Sequence, residues 1–332
     1  MSTIASAAWV AALALTGWGS GLPLAVFVAI LAAGSEIVSF PFVVYRTFVL
    51  DRKYGLSAES FATWFRDHLK ALAIGLVICE IVALAVFQSM RIAGAAWWAL
   101  AALLFAAAGV LLSGLAPILL MPLFYRFRPL ERAALRERLI ALCRRADVAV
   151  LGVFEWGLGE KTSRANAALA GVGRTRRILL SDTLLQNYSE DEIEVILAHE
   201  LAHHVHHDLW TALALETGLM AAAMLTGHLA ITASSHGLGN RAALPLLVLV
   251  AGGVSLALTP VGYAWSRHNE RRADRFALAL TGRHDAFVSA MRRLAAQNLA
   301  EPAPSRLVRW FFHTHPTIDE RIASAGAHPR VS

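Results

Sequence analysis

Apolar residues along this chain are collected into five long stretches, separated by more polar segments. The stretches fall at 22–50, 68–90, 95–124, 209–233 and 243–265. A helix needs about 20 apolar residues to cross a bilayer, so each stretch predicts a membrane span. The longest polar block, residues 125–208, lies between the third and fourth spans and predicts one sizeable soluble module.

Lysine and arginine residues are concentrated in alternate connections between the spans. Residues 51–67, 126–207 and 267–332 hold 3, 12 and 11 of them, whereas the connections after the second and fourth spans hold one arginine each. Short basic connections stay in the cytoplasm. The alternation therefore predicts an N-terminus outside the cell and three cytoplasmic segments.

A further apolar stretch, residues 4–19, is short and is interrupted by glycine at its end. No lysine or arginine precedes it, and a cleavable secretory signal needs a basic start. We therefore expect no cleavage here, and we favour an interfacial or partly inserted helix over a sixth full span. Either alternative changes only the location of the N-terminus.

The composition supports a membrane protein. The chain is 57% hydrophobic and 16% charged, and its mean hydropathy is +0.53, whereas about a quarter of residues are charged in an ordinary soluble domain. The net charge of +6 could indicate a nucleic-acid partner, but membrane topology explains the placement of the basic residues better, so we expect none. The cysteines, Cys79 and Cys143, are too few for a disulfide framework.

Within the soluble block, leucines at helical spacing predict an amphipathic helix over Pro129–Arg145. Three segments rich in β-forming residues follow: Val148–Trp156, Thr162–Ala170 and Arg176–Ser181. We expect them to form a small antiparallel sheet. Its edge could hold an extended substrate as an additional strand, or the sheet could serve only as scaffold.

The next segment contains the sequence H-E-x-x-H, formed by His199, Glu200 and His203. A capping box at Ser189–Glu192 predicts that the segment is helical, so the two histidines lie one turn apart and can bind one Zn²⁺ ion. Glu200 is then placed to accept a proton from the attacking water. The motif could also be accidental in a chain with 13 histidines. We expect the further histidines, His204, His206 and His207, to be helix-end or supporting residues rather than ligands.

A third ligand is needed, and Glu270 is the candidate, because the two spans after His203 return the chain to the same side of the membrane. Asp274 follows one helical turn later and could hold a ligand histidine or take part in proton transfer. A helix with ordinary charged faces explains this spacing about equally well.

Taken together, these segments resemble the type I CAAX prenyl endopeptidases, a family of membrane zinc proteases. The resemblance extends from about Pro41 to Ile322. It is carried by PFVVYRTFVLDRKYGLSAESFATWFRDHLK before the second span, PLFYRFRPLE after the third, SRANAALAGVGRTRRILLSDTLL in the predicted hairpin, HELAH, SRHNERRADRFAL and HTHPTIDERI.

The resemblance implies roles for individual residues. Zinc is held by His199, His203 and Glu270, Glu200 is the general base, and Asp274 is a supporting or proton-donating acid. Three further roles are implied: Asn166 contacts the substrate backbone, His315 stabilises the oxyanion, and Arg321 pairs with a carboxylate in the cleft. For His315 a turn histidine, and for Arg321 a solvated side chain, remain the alternatives.

Two departures from the family concern the N-terminus and the substrate. The longer eukaryotic members have one or two more N-terminal helices, which leaves open whether an enclosed intramembrane chamber forms here. The Ala- and Arg-rich composition is typical of a high-GC bacterium, and bacteria generally lack prenylated CAAX proteins, so the fold and chemistry transfer more safely than the substrate.

The sequence thus predicts a mainly α, polytopic membrane protein with five to six transmembrane helices and a small α+β zinc-metalloprotease module on the cytoplasmic side of a bacterial inner membrane. The predicted domains are 1–124 (membrane region), 125–208 (catalytic module), 209–265 (helix pair) and 266–332 (catalytic helices with the third ligand). The predicted activity is that of an endopeptidase with one Zn²⁺ per chain, acting on peptides or membrane-associated proteins, with or without a lipid. The alternatives are an HtpX-like quality-control protease and a catalytically silent membrane scaffold.

Overall fold

The computed structural model describes residues 22–171, 173–234, 244–301 and 304–326. The predicted interfacial helix at 4–19 lies outside these ranges. The chain divides into two compact units. Unit 1 comprises residues 1–53, 60–108 and 214–258, and unit 2 comprises residues 54–59, 109–213 and 259–332.

The described residues are mostly helical. In chain order the main helices are α1 (Leu22–Val44), α2 (Phe61–Ala93), α3 (Trp97–Leu115), α4 (Ala133–Arg145), α5 (Asp182–Asn187), α6 (Glu190–Val205), α7 (Asp208–Ala233), α8 (Leu244–Thr281), α9 (His284–Gln297), α10 (Arg306–Phe312) and α11 (Ile318–Gly326). The strands are β1 (Phe127–Pro129), β2 (Val153–Trp156), β3 (Ala167–Ala170) and β4 (Arg177–Ser181).

Four continuous helical runs in the described part of the chain are long and apolar enough to cross a membrane. They are Pro23–Lys53, Phe61–Leu123, Asp208–Ala233 and Pro245–Thr281. The second run contains both α2 and α3, which are separated at Gly94, where φ is +50° and a side chain would be strained. As far as the chain is described, all five predicted apolar stretches are therefore helical, and the mainly α class is confirmed.

The sheet differs from the prediction in two respects. It has four strands in the order β1-β2-β4-β3, and Phe127–Pro129 is a strand that the sequence pattern did not reveal. It is mixed rather than antiparallel, because β2 pairs with β4 in parallel while β1–β2 and β3–β4 are antiparallel. The observed strands are also shorter than predicted, and the helix that was predicted to start at Pro129 begins at Ala133.

Burial explains the strand order. In β4, the side chains of Ile178, Leu179 and Leu180 are all at most 4% exposed, so this strand takes a central position covered on both faces. Strand β2 pairs with one edge of β4, so β3, which comes between them in the sequence, pairs with the opposite edge of β4. This leaves β3 at the edge of the sheet.

The core of unit 2 lies between this sheet and the helices around α6, which carries His199, Glu200 and His203. Helix α6 packs against α4, α9 and β3, and its buried apolar residues include Ile193, Leu197 and Leu201. The predicted capping box is present, because Ser189 and Glu192 bond to each other's backbone N–H. The helix predicted to contain H-E-x-x-H is therefore confirmed. The capping box fixes its first turn, and its buried apolar residues fix which face packs against the core.

Candidate metal centre and active site

Three side chains of unit 2 converge at the C-terminal half of α6. His199 and His203 lie one turn apart on α6, and Glu270 reaches the same point from α8. The Nε2 atoms of the two histidines are 3.4 Å apart. Glu270 Oε2 lies 3.2 Å from His199 Nε2, and Glu270 Oε1 lies 3.5 Å from His203 Nε2.

These separations fit a tetrahedral metal ion. Zinc binds histidine nitrogen and carboxylate oxygen at about 2.0–2.2 Å, which places tetrahedral ligands about 3.3 Å from one another. Glu270 is 6% exposed, and its Oε2 atom makes no hydrogen bond although it is buried. A buried carboxylate oxygen without a partner is costly, and a cation bound by Glu270 and the two histidines would satisfy it.

The other ring nitrogen of His199 is held by a carboxylate. Nδ1 lies 2.9 Å from Asp274 Oδ1, and Asp274 is only 1% exposed. Arg321 completes the set by donating from Nε to Asp274 Oδ2 at 2.8 Å and from Nη2 to Oδ1 at 2.5 Å. A proton on Nδ1 leaves the Nε2 lone pair free to bind a metal.

His203 has an equivalent arrangement, which was not predicted from the sequence. Its Nδ1 atom lies 2.8 Å from Asp208 Oδ2, and Asp208 in turn accepts a hydrogen bond from Arg272. Asp208 is 7% exposed. The signal was available, because Asp208 follows His203 by five residues and Arg272 follows Glu270 by two.

Glu200 lies in the wall of the cleft next to His199. Burial raises the pKa of this carboxyl, although the charges of His199 and His203 oppose the change. For His199, burial alone would lower the pKa of the imidazole, but the hydrogen bond with Asp274 and the nearby negative charge of Glu270 outweigh this and raise the pKa to about 9. A carboxylate with a raised pKa is suited to accept and then release a proton.

The cleft at this centre has a volume of about 440 Å³. His315 faces it, with Nε2 3.3 Å from Glu270 Oε1, and the exposed Asn166 lies on its wall just before β3. An apolar part of the wall is formed by Leu184, Val195, Ile196, Phe287, Met291, Leu294 and Ile318. The structure thus brings together every site residue that the sequence predicted.

The neighbouring histidines have other partners. His204 donates from Nε2 to the carbonyl oxygen of Leu169 in β3 at 2.9 Å. The ring of His206 packs edge-on against Phe276, and His207 has a φ of +57° in the turn between α6 and α7. These contacts support the expectation that the three residues are peripheral.

Comparison with known proteins agrees with this geometry. Residues 129–328 match the model of peptidase family M48, and residues 3–126 match that of the CAAX prenyl protease N-terminal region with five membrane helices. The metalloprotease YhfN of Bacillus subtilis is 30% identical over 90% of this chain and 72% of its own length. A probable CAAX prenyl protease 1 of Schizosaccharomyces pombe is 28% identical over 90% of this chain and 64% of its own length.

A crystal structure of Ste24p from S. mikatae has the same fold. The TM-score is 0.86, with 22% sequence identity, and the match covers 96% of this chain and 80% of the other. Fold and site together define an integral membrane metalloprotease that resembles the CAAX prenyl proteases. The chain belongs to peptidase family M48.

Proposed function

We propose that this protein is a zinc endopeptidase that hydrolyses peptides or membrane-associated proteins. The observation that carries the proposal is the convergence of His199, His203 and Glu270 to within 3.5 Å of one another beside Glu200. Nitrogen and carboxylate donors in this number, with room on one side, are typical of a catalytic zinc site.

In this proposal His199, His203 and Glu270 hold the metal through Nε2, Nε2 and the carboxylate. When bound, zinc makes water more acidic and polarises the scissile carbonyl group. Asp274 and Asp208 keep the two imidazoles oriented and protonated at Nδ1.

The chain's own residues then move the protons. Glu200 accepts a proton from the attacking water and delivers it to the leaving amine, and its raised pKa makes it a stronger base for the first of these transfers. His315 faces the same point and donates from its ring to the developing oxyanion. Arg321 holds Asp274 in place and adds positive charge beside the site.

The substrate is proposed to bind along β3. Because the Asn166 carbonyl accepts the N–H of Ser181, the N–H and C=O of the next residue, Ala167, point away from β4. Ala167 and Asn166 both line the cleft, so an extended peptide can pair with this edge. The apolar wall of the cleft favours apolar side chains next to the scissile bond.

The relatives named as CAAX prenyl proteases make a lipidated C-terminal peptide one candidate substrate. Cleavage of such a peptide and of an unfolded membrane protein should be compared, because a quality-control protease would prefer the second. The comparison also distinguishes these two kinds of protease from a catalytically silent scaffold, which would cleave neither substrate.

We further propose that the protein resides in a bacterial plasma membrane with the catalytic unit in the cytoplasm. The alternation of basic connections supports this orientation. A green fluorescent protein joined after Ser332 should fluoresce, and a periplasm-dependent phosphatase joined there should be inactive. An active phosphatase would reverse the orientation.

The decisive experiment is the substitution Glu200→Gln. The variant should retain one zinc per chain, measured by elemental analysis of the purified protein, and should lose proteolysis. Glu190→Gln is the matched control, because Glu190 lies on the same helix with its side chain 39% exposed, and it should keep both properties. Full activity in Glu200→Gln would reject the proposed mechanism, and absence of zinc from the wild type would reject the metal.

A further inference from the structure

Arg267 joins the helix that carries Glu270 to the segment that carries His315. From α8 its Nη1 atom donates hydrogen bonds to the carbonyl oxygens of Arg309 at 3.1 Å and of His313 at 2.7 Å. All of these residues belong to unit 2.

Both acceptors are backbone carbonyl groups at the C-terminal end of the short helix α10. Helix α10 ends at Phe312, so the carbonyl of Arg309 is one of the last four and lacks a partner within the helix. The guanidinium group serves this carbonyl and that of His313, the residue directly after the helix. A cationic side chain at the C-terminus of a helix also interacts favourably with the helix dipole.

The position of Arg267 relates the two segments directly. Arg267 and Glu270 are three residues apart in one helix, so their side chains emerge on the same side. The carbonyl at His313 is only two residues before His315, whose Nε2 lies 3.3 Å from Glu270 Oε1. Helix α8 therefore holds the Glu270 carboxylate at the metal centre and, through Arg267, also sets the distance between His315 and this carboxylate.

Packing does little to fix the His315 ring. Its side chain is 60% exposed to the cleft, and its Nδ1 atom contacts only the neighbouring Thr314 hydroxyl at 2.8 Å among the bonds that the described chain shows. The backbone of this segment must then be anchored, because donors act on a transition state only when they are preorganised.

We infer that Arg267 is a positioning residue that places His315 for transition-state stabilisation. The inference rests on the proposed function, in which His315 acts on the oxyanion. Arg267 is not among the residues that line the cleft, and its described hydrogen bonds go to the backbone of Arg309 and His313, so its effect is transmitted through the backbone at His313.

The test is a double-mutant cycle between Arg267→Met and His315→Ala, measured with a fluorescence-quenched peptide that has apolar residues around the scissile bond. Arg267→Met alone should lower kcat about 10- to 100-fold, the cost of a small misplacement of a catalytic group, with a much smaller change in KM. In the His315→Ala background the same substitution should change kcat less than about threefold, because no positioned ring remains.

Two further variants and one measurement complete the design. Arg271→Met, exposed on the same helix, should leave kcat and KM unchanged, and Arg267→Lys should recover part of the lost kcat. Zinc content should be equal in all variants, which separates positioning from general damage. If the effects of Arg267→Met and His315→Ala multiply, Arg267 acts independently and the inference is rejected. If His315→Ala alone has no effect, the role proposed for His315 fails instead.

Discussion

His203 and Asp208 form a hydrogen bond of 2.8 Å between Nδ1 and Oδ2, directly behind the candidate metal centre. Asp208 is buried and is held from its other side by Arg272. The same sequence of groups, histidine to aspartate to arginine, supports His199 through Asp274 and Arg321. Both imidazoles are thus fixed in ring orientation and in the nitrogen that carries the proton.

The first prediction concerns Asp208. Asp208→Ala should weaken zinc binding about 10- to 100-fold, because the ligand ring loses the partner that orients it and increases its basicity. Competition against a fluorescent chelator measures the affinity. Asp208→Asn retains an acceptor and should have a smaller effect, and Asp319→Asn, exposed at the start of α11, is the control. Unchanged affinity in Asp208→Ala would show that the bond is dispensable.

The second prediction concerns the metal ligands. Glu270→Ala should abolish stoichiometric zinc binding, since His199 and His203 would be left without the carboxylate that completes the group of three donors in the described residues. His206→Ala and His207→Ala should retain the metal, because the ring of His206 packs on Phe276 and His207 lies in a turn. Elemental analysis of the three proteins checks this. If Glu270→Ala kept the zinc content of the wild type, Glu270 would not be the third ligand, and one of these histidines would be the next candidate.

The spacing of H-E-x-x-H and its capping box was enough to predict α6, because both are local features within one helix. Glu270 could be proposed only from topology and family resemblance, since 66 residues separate it from His203 in the sequence. Asp208 was not predicted from the sequence although it follows His203 by only five residues. An aspartate five residues after a ligand can reach the ring only if the helix ends between them, as it does at Val205.

The sheet shows where local patterns are insufficient. Segments rich in β-forming residues identified three strands, but such composition carries no information on which strand pairs with which. The parallel pairing of β2 with β4 depends on the burial of β4 between its neighbours, a property of the assembled core. Strand β1, with three residues, is too short to give a period.

The third prediction concerns substrate binding at β3. Asn166→Ala should raise KM several-fold and leave kcat within about twofold, because the side chain lies on the cleft wall and takes no part in the metal centre. A peptide methylated at the backbone nitrogen that pairs with Ala167 should show a similar rise with the wild-type enzyme. Steady-state kinetics with the methylated peptide and with its unmethylated counterpart provides the measurement. A fall in kcat at constant KM would contradict a role limited to substrate binding.

The fourth prediction concerns pH and the stability of α6. Glu192 is 2% exposed; its carboxylate accepts the N–H of Ser189 at 2.7 Å and the hydroxyl of Ser289 at 2.6 Å, and lies 3.0 Å from Arg293 Nε. Burial alone would raise the pKa of this carboxyl, but these bonds outweigh burial and lower the pKa below 4.5.

Because the folded-state pKa is below the unfolded one, the ionised Glu192 stabilises the fold above about pH 4.5, and this contribution is lost as the pH falls through the lower, folded-state value. Glu192→Gln should therefore lower the free energy of unfolding by about 1–3 kcal/mol at pH 7, and the difference from wild type should shrink below about pH 4.5. Thermal unfolding in detergent from pH 7 to pH 3.5 follows both proteins, with Glu190→Gln as control, because the Glu190 side chain is 39% exposed. A difference that stays constant over this range would show that Glu192 stabilises α6 by packing rather than by its charge.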